Sequence, residues 1–255
     1  MKSYNHLYET FISRENYLLA VKNATKHKGG RKRKYTRAKF FKNNAEGLSY
    51  KMLCYANTFK NYPHKPVEIY DGIQRKKRVI IVPTMEEQVV HHMVVNIMKP
   101  IWMRTMYEHS YGSIPNRGGH KGKKTIERWI HRKDKHMKYC LKMDVRKFFD
   151  SIPHDILKRK LADQLHDKRF LSVLYEIIDV IPKGLPLGFY TSQWLANWYL
   201  EELDHYIKEV LHVKYYMRYM DDMVCFGSNK KELHKVRIAI AEYMQKNLGL
   251  ALKAN

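Results

Sequence analysis

The sequence has 255 residues, with 48 Lys and Arg against 25 Asp and Glu, a formal net charge of +23 at pH 7. This excess favours a polyanionic partner, usually a nucleic acid and less often an anionic membrane surface. Since 44% of the residues are hydrophobic and 13% are aromatic, the chain can fill a core, which excludes disorder throughout. Charge alone leaves a generally basic structural protein as an alternative.

The sequence predicts neither a membrane anchor nor a disulfide scaffold. No apolar run approaches the roughly 20 residues that a membrane-spanning helix needs, and the N-terminus lacks the layout of a secretion signal. Cys54, Cys140 and Cys225 are isolated and odd in number, which indicates neither a disulfide framework nor a Cys-rich zinc site. We therefore expect a cytoplasmic protein without a membrane partner.

In the first half of the chain, basic segments alternate with predicted helices. Residues 22–42 contain ten Lys or Arg and no acid, and they predict a basic loop between two short helices. Residues 75–83 predict a basic hairpin, and 85–106 predict a helix with apolar residues on one face. Residues 117–138 contain nine more Lys or Arg, first in a glycine-rich loop and then in a helix. Flexible, solvated charge runs are the alternative interpretation of these blocks.

The second half of the chain predicts an α+β unit with an antiparallel sheet. Trp194 and Trp198, spaced by four residues on one predicted helix, are expected in the core. In chain order, the predicted elements are a strand at 139–145, helices at 153–166 and 170–181, a Gly/Pro loop at 183–188, a helix at 191–211, a hairpin at 214–227 and a helix at 230–248 that Gly249 ends.

Three aspartates stand in unusual surroundings. Asp144 ends an apolar strand, and Asp221 and Asp222 occupy the turn of an apolar hairpin. Acids are depleted in strands and costly beside apolar neighbours, and adjacent carboxylates repel each other. An isolated Asp-Asp pair is most often a polar turn, but a third strand-end aspartate favours a cation site. Oxygen ligands favour Mg²⁺, so this carboxylate cluster in a basic chain predicts nucleotidyl transfer.

These segments resemble the motifs of reverse transcriptases. Tyr219–Asp222 (YMDD) is similar to their YxDD hairpin, and LKMDVRKFFDSI resembles their first palm motif, with Asp144 as the other metal-binding acid. GLPLGFYTSQWLAN resembles the palm motif that cradles the incoming nucleotide and the templating base, and RKKRVIIVP resembles the fingers. The three palm motifs follow one another along the chain in the order and spacing of the family, which is far more specific than YMDD alone. The resemblance extends over about Tyr4 to Asn255.

The resemblance implies an α+β, right-hand polymerase fold with fingers and palm, in which an antiparallel palm sheet packs on helices. We expect a basic N-terminal extension over 1–50, fingers over 51–138 and a palm over 139–255. A helical insert linked to the fingers is expected at about 153–183. The family continues with a primer grip and a thumb, and both are expected to be missing from this chain.

The resemblance also assigns residues to the reaction of an RNA-directed DNA polymerase. Catalysis falls to Asp144, Asp221 and Asp222, which with the Val145 carbonyl would hold two Mg²⁺ ions, or Mn²⁺ as a substitute. Phe149 occupies the position of an aromatic steric gate against a ribose 2′-OH, which implies use of dNTPs. The residues expected at the nucleotide are Arg78, Lys76, Val145, Phe149, Leu187, Gly188 and Gln193.

A further set of residues is expected to contact nucleic acid, and most of them are basic. For the basic residues after position 116, a solvated charged surface is an equal alternative, and packing is the favoured role of Tyr219. Lys253 lies near the position where some polymerases have a general acid, but its register is poor and no role is assigned to it. The expected contacts are Arg31, Lys32, Arg33, Lys34, Arg117, Lys121, Lys123, Lys124 and Tyr219.

Departures from the common motif point to a subtype. Leu187 stands where most reverse transcriptases have Gln, and the motif ends in Ser192-Gln193, as in the reverse transcriptases of diversity-generating retroelements. Members of that group copy a template RNA into cDNA with errors at adenines and bind a small basic accessory protein. A site that has no hydrogen-bonding group at the nascent base pair discriminates poorly between correct and incorrect bases, so Leu187 is expected to contribute to such errors. The expected partners are template RNA, primer and cDNA strand, dNTPs and that accessory protein.

Three alternatives stay open at this point. One is a phage-defence or group II intron-like reverse transcriptase, although the Ser-Gln ending argues against the intron type. The second is an RNA-binding protein with the polymerase fold that is inactive without its thumb. The third is a basic structural protein, which leaves the carboxylate cluster unexplained.

Overall fold

The computed structural model describes residues 4–26, 37–72 and 75–254. The helices within them are α1 (Leu7–Phe11), α2 (Arg14–Thr25), α3 (Arg37–Asn43), α4 (Ala45–Asn57), α5 (Met85–Thr105), α6 (Gly119–His131), α7 (Phe148–Ser151), α8 (His154–Gln164), α9 (Lys168–Ile178), α10 (Tyr190–Tyr199), α11 (Glu201–His205) and α12 (Lys230–Tyr243). The strands are β1 (Val67–Asp71), β2 (Lys76–Ile80), β3 (Tyr139–Met143), β4 (Tyr215–Tyr219) and β5 (Asp222–Gly227). No helix in these ranges is long and apolar enough to cross a membrane.

The chain forms two compact units, each built from two stretches of sequence. Residues 1–101 and 157–192 make the first unit, and residues 102–156 and 193–255 make the second. These units do not follow the predicted boundary at residue 138, because 102–138 belong with the strands of the predicted palm. The division into extension, fingers and palm therefore stays a prediction.

The first unit is mainly helical, and capping residues define where its helices start. Asp167 caps α9 by accepting the Phe170 N–H (3.1 Å), and its second carboxylate oxygen accepts the Tyr8 N–H (2.8 Å). The rings of Phe11 and Phe170 then meet edge to face, with centroids 5.5 Å apart. Because one aspartate serves both α9 and α1, helices distant in sequence share a core.

The first unit also contains the predicted basic hairpin. Strands β1 and β2 pair antiparallel, with Ile69 opposite Arg78. Behind the hairpin, Glu87 is completely buried and accepts the backbone N–H groups of Tyr62 and Thr84, both at 2.8 Å. These two residues precede and follow the hairpin in sequence, so Glu87 ties the base of the hairpin to α5.

The second unit is centred on a three-stranded antiparallel sheet in the order β3-β5-β4, which confirms the predicted antiparallel sheet. Helix α6 packs against β4, and helix α12 lies against β5. An aromatic cluster forms the contact with α6, where the Trp129 and Tyr215 ring centroids are 5.2 Å apart. Trp194 and Trp198 are buried, as the sequence predicted.

Two predicted helices differ in the structure. Helix α6 begins at Gly119, inside the segment that was predicted to be a loop. Its Gly122 is buried, and a Cβ there would lie 3.2 Å from the Met217 side chain and 3.4 Å from the Tyr111 ring, so close packing accounts for a glycine within the helix. The single helix predicted over 191–211 is instead divided into α10, α11 and a π-helical turn.

Candidate active site

The three predicted aspartates lie at one end of the three-stranded sheet. Asp144 directly follows β3, Asp221 lies in the β4–β5 turn and Asp222 is the first residue of β5. Because Met143 pairs with Met223, the antiparallel register brings Asp144 next to Asp222. The structure thus brings together Asp144 and Asp222, which are 78 positions apart in sequence.

The electrostatics of the carboxylate cluster are those of crowded negative charges. Burial raises the pKa of Asp221, and the charges of Asp144 and Asp222 raise it further. The Asp144 carboxylate also accepts a hydrogen bond from the protonated Asp221 side chain, which raises the pKa of Asp221 as well, whereas the backbone N–H of Asp221 lowers it. A cation bound among these oxygens would relieve the repulsion.

Two lysines offset part of this negative charge. The Lys142 ammonium lies 3.5 Å from Asp222, and the Lys253 ammonium lies 3.5 Å from Asp144. The backbone of Lys253 also donates its N–H to the Asp144 carbonyl at 2.8 Å. Sequence reasoning assigned no role to Lys253 because of its register, yet the structure brings it to the cluster through pairing of the 251–253 segment with 144–146.

The oxygen donors of the cluster suit Mg²⁺, although they do not form a closed cage. In the described ranges, no group of three or more His, Cys, Asp or Glu side chains is arranged to hold a metal ion by itself. Mg²⁺ commonly keeps several waters and uses one or two carboxylates together with substrate phosphates. The raised pKa of Asp221 is consistent with a carboxylate set that favours a cation.

The remaining residues of the first palm motif lie directly after Asp144. Val145 is buried and pairs with Leu252 in an antiparallel bridge. Phe149 lies in α7, is partly exposed and meets the ring of the buried Phe148 edge to face, with centroids 5.5 Å apart. The role of its ring as a steric gate stays a prediction.

In the first unit, the structure joins two of the predicted nucleotide motifs. The Ile81 N–H donates to the Leu187 carbonyl at 2.8 Å. Gly188 has a φ of 109°, and a Cβ there would lie 2.1 Å from the Ile81 carbonyl oxygen. Glycine is therefore required where the LPLG loop meets the end of β2.

The other predicted nucleotide residues occupy different elements. Lys76 begins β2, and Arg78 lies exposed in the middle of that strand. Gln193 is exposed on α10, in the segment that belongs to the second unit. Their roles at a nucleotide stay predictions.

Predicted nucleic-acid contacts fall into three groups. Arg31, Lys32, Arg33 and Lys34 lie outside the described residues. Arg117 donates to the Tyr107 carbonyl (2.6 Å) and to the Ser110 carbonyl (3.2 Å), so its guanidinium supports the local loop. Exposed side chains belong to Lys121, Lys123, Lys124 and Tyr219. The Tyr219 side chain is 49% exposed, which differs from the favoured packing role.

Sequence reasoning missed the buried partner of the YMDD turn. Arg218, one residue before Tyr219, is completely buried and forms an ion pair of 2.6 Å with the equally buried Asp204. The sequence does contain a signal for Arg218, which is a charged residue in the mainly apolar strand β4. The same kind of signal identifies the three aspartates. The partner on α11 could not be found from the sequence pattern alone.

With this geometry established, comparison with known proteins identifies the family. The sequence pattern of the family "Reverse transcriptase (RNA-dependent DNA polymerase)" matches residues 63–255, well over half of the chain. The chain belongs to the reverse transcriptase family. The match includes every member of the carboxylate cluster.

This reverse transcriptase family member has curated relatives at modest identity. It is 26% identical to Protein YkfC of Escherichia coli (strain K12), over 52% of this chain and 38% of that protein. It is 24% identical to the group II intron-encoded protein LtrA of Lactococcus lactis subsp. cremoris, over 60% of this chain and 26% of LtrA. The matched region therefore spans less than half the length of each of these two relatives.

Solved telomerase structures share the fold. The telomerase of Candida albicans, solved with a fragment of telomeric RNA, aligns with a TM-score of 0.57 at 14% identity. The alignment covers 76% of this chain and 42% of the telomerase chain. At this identity the similarity establishes a polymerase-like α+β fold for the reverse transcriptase.

Proposed function

We propose that this chain is the core of an RNA-directed DNA polymerase, which extends a primer on an RNA template with dNTPs. The observation that carries the proposal is the carboxylate cluster at one end of the palm-like sheet. Its crowded acids are the donors expected of a nucleotidyl transferase, and the net charge of +23 suits a nucleic-acid substrate. Family membership supports the same reaction.

The residues of the cluster would hold two Mg²⁺ ions, or Mn²⁺ in their place, together with the Val145 carbonyl. When bound, such ions supply Lewis-acid activation of the primer 3′-OH and stabilise the pyrophosphate leaving group. Arg78 and Lys76 would neutralise triphosphate charge. The ring of Phe149 would exclude a ribose 2′-OH, and Gly188 would let the backbone approach the nascent base pair.

The finer proposal is a reverse transcriptase of the diversity-generating retroelement type, which makes errors at template adenines and works with a basic accessory protein. Leu187 and the Ser192-Gln193 ending support this subtype. A group II intron-like enzyme is the second candidate, because LtrA is among the relatives. Sequencing of the cDNA separates them, since only the first predicts errors concentrated at adenines.

The test is primer extension on an RNA template with Mg²⁺ and dNTPs. Asp222→Asn should reduce extension on the order of 100-fold or more while RNA binding persists, because it removes a charge from the cluster. Asp155→Asn, which alters an exposed aspartate in the first turn of α8, is the matched control and should retain extension. RNA binding without extension by the unaltered chain would instead favour an RNA-binding protein with a polymerase fold.

A further inference from the structure

The YMDD turn is attached to a buried ion pair. Arg218 in β4 and Asp204 in α11 are both completely buried, and their closest N–O distance is 2.6 Å. Apolar residues of similar volume often give equal or greater stability than a buried ion pair. Stability alone therefore does not account for this buried ion pair, which points to a second role.

Every N–H of the Arg218 guanidinium has an acceptor. Nε donates to Asp204 at 2.8 Å, and Nη2 donates to Asp204 at 2.6 Å and to the Asn197 carbonyl at 3.1 Å. Nη1 donates to Asn197 Oδ1 at 3.1 Å and to the Met220 carbonyl at 2.9 Å. Four of the five N–H groups thus donate to residues of α10 and α11, and the fifth donates to the YMDD turn itself.

The Met220 carbonyl belongs to the peptide that enters Asp221. Met220 has a φ of 55°, in the left-handed region that residues other than Gly, Asn and Asp rarely adopt. A hydrogen bond to its carbonyl fixes the plane of this peptide. The orientation of the Asp221 backbone, and of Asp222 after it, follows from that plane.

The other side of Met220 is closed by Gly112. A Cβ on Gly112 would lie 2.6 Å from the Met220 nitrogen and 2.5 Å from its Cγ. The Asn197 side chain, which also accepts from Arg218, donates to the Gly112 carbonyl at 2.8 Å. The same polar network therefore holds the turn and the segment packed against it.

We propose that Arg218 is a positioning residue for the carboxylate cluster: it holds the Met220–Asp221 peptide in its left-handed turn and thereby sets the direction of Asp221 and Asp222. Asp204 and Asn197 hold the guanidinium in place. This proposal rests on the proposed polymerase function for its catalytic consequence. The hold on the turn is a property of the fold and can be measured without catalysis.

Arginine suits this position better than lysine. A planar guanidinium has five N–H groups in a fixed fork and can bond Asp204, Asn197 and Met220 at once. An ammonium has three donors at one point and cannot reach all three acceptors. Arg218→Lys thus keeps the charge opposite Asp204 and removes the bond to the turn.

The matched control is Tyr216→Phe. The buried Tyr216 hydroxyl donates to Asp204 Oδ1 at 2.6 Å, so its removal weakens the same buried network. It has no bond to the Met220 carbonyl in the described structure. Both variants are expected to lower the thermal unfolding temperature, but only Arg218→Lys should release the turn.

The first readout is amide hydrogen exchange over residues 219–223, followed by mass spectrometry on the full chain. Arg218→Lys should accelerate exchange in this segment about tenfold or more relative to the rest of the sheet, whereas Tyr216→Phe should not. Equal exchange in a folded Arg218→Lys variant and the unaltered chain would overturn the proposal.

The second readout separates kcat from KM in primer extension. Misplaced carboxylates should lower kcat on the order of 10–100-fold in Arg218→Lys, with KM for dNTP and affinity for RNA within about twofold. Tyr216→Phe should retain kcat. If the unaltered chain does not extend a primer, the polymerase proposal fails, and exchange at the turn still tests the hold of Arg218.

A second variant tests the proposal if Arg218→Lys does not fold. Arg218→Met combined with Asp204→Leu replaces the pair by apolar side chains, an exchange that buried ion pairs often tolerate. The double variant should fold with a cooperative transition but show fast exchange at the turn and low kcat. Slow exchange at the turn together with unaltered kcat in the double variant would overturn the proposal. Failure of both Arg218→Lys and the double variant to fold would also overturn it, because the ion pair would then serve stability alone.

Discussion

Ile81 donates its backbone N–H to the carbonyl of Leu187 at 2.8 Å, and this bond joins the end of β2 to the LPLG loop. The next residue, Gly188, lies so close that a Cβ would be 2.1 Å from the Ile81 carbonyl oxygen. Its φ of 109° also lies outside the range that other residues adopt without strain. The contact depends on the absence of a side chain.

Gly188→Ala should therefore destabilise the protein. Backbone strain of this kind costs roughly 1–3 kcal/mol, and the clash with Ile81 adds to that cost. Thermal or urea unfolding measures the difference. Gly47→Ala is the control, because a Cβ on Gly47 meets nothing within 4 Å in helix α4, where alanine should stabilise by about 0.5–1 kcal/mol. Equal stability of Gly188→Ala and the unaltered chain would contradict the structure.

The buried His91 predicts sensitivity to acid. Its Nδ1 lies 2.8 Å from the Thr191 hydroxyl, and its Nε2 has no hydrogen-bond partner within the described part of the chain. Burial, together with the smaller effects of the charges of His92 and His64, lowers the pKa of His91 to about 3. Below its ordinary pKa near 6.5, the unfolded chain binds a proton that the folded protein excludes. Stability should fall from about pH 6.5 downwards, by roughly 3 kcal/mol at about pH 4 from this group.

The measurement is urea unfolding as a function of pH. His91→Gln should flatten the dependence between about pH 6.5 and pH 4, because the titrating group is gone. Thr191→Val is the control: it removes the hydroxyl partner of His91, so it should lower stability without flattening the dependence. An unaltered slope in His91→Gln would show that other groups govern the acid transition.

The strands and the carboxylate cluster could be predicted from the sequence because their pattern is local. Apolar runs interrupted by acids located β3, β5 and the YMDD turn, and the left-handed Gly249 (φ 59°) ends the final helical segment as expected. These features depend on residues within a few positions of each other. Short-range periodicity and helix-ending signals are sufficient for them.

Features that depend on distant partners could not be predicted in this way. The close packing of Gly122 within α6 depends on Tyr111 and Met217, which lie outside that helix. The Arg218–Asp204 pair joins a strand to a helix, and the local sequence of neither segment predicts that the two residues are partners. The return of residues 157–192 to the first unit is likewise a property of the folded chain, not of local sequence.

Phe149 provides a test of sugar selection. If its ring excludes a ribose 2′-OH, Phe149→Ala should lower the preference for dNTP over rNTP by on the order of 10–100-fold in kcat/KM. Single-nucleotide extension with each substrate measures the ratio. Ser151→Ala is the control, because Ser151 lies on the same short helix and its hydroxyl donates to the Arg146 carbonyl at 3.1 Å, so its change should leave the ratio unaltered. Unchanged selectivity in Phe149→Ala would remove this residue from the proposed role.

Leu187 provides the test of fidelity. Its backbone is fixed by Ile81, while its side chain is partly exposed and offers no hydrogen-bonding group. Leu187→Gln would introduce an amide at a site whose apolar side chain is proposed to permit errors, and a polar group can discriminate where an apolar one cannot. We expect fewer errors at template adenines, with little change at the other bases.

The measurement is deep sequencing of cDNA copied from an RNA template with balanced base composition. Leu187→Met is the matched control, since it keeps an apolar side chain of similar volume and should retain the error spectrum. Fewer errors at adenines in Leu187→Gln, but not in Leu187→Met, would support the retroelement subtype. An identical spectrum in both variants would mean that Leu187 does not contribute to errors, and a spectrum without adenine bias in the unaltered chain would favour the intron-like candidate.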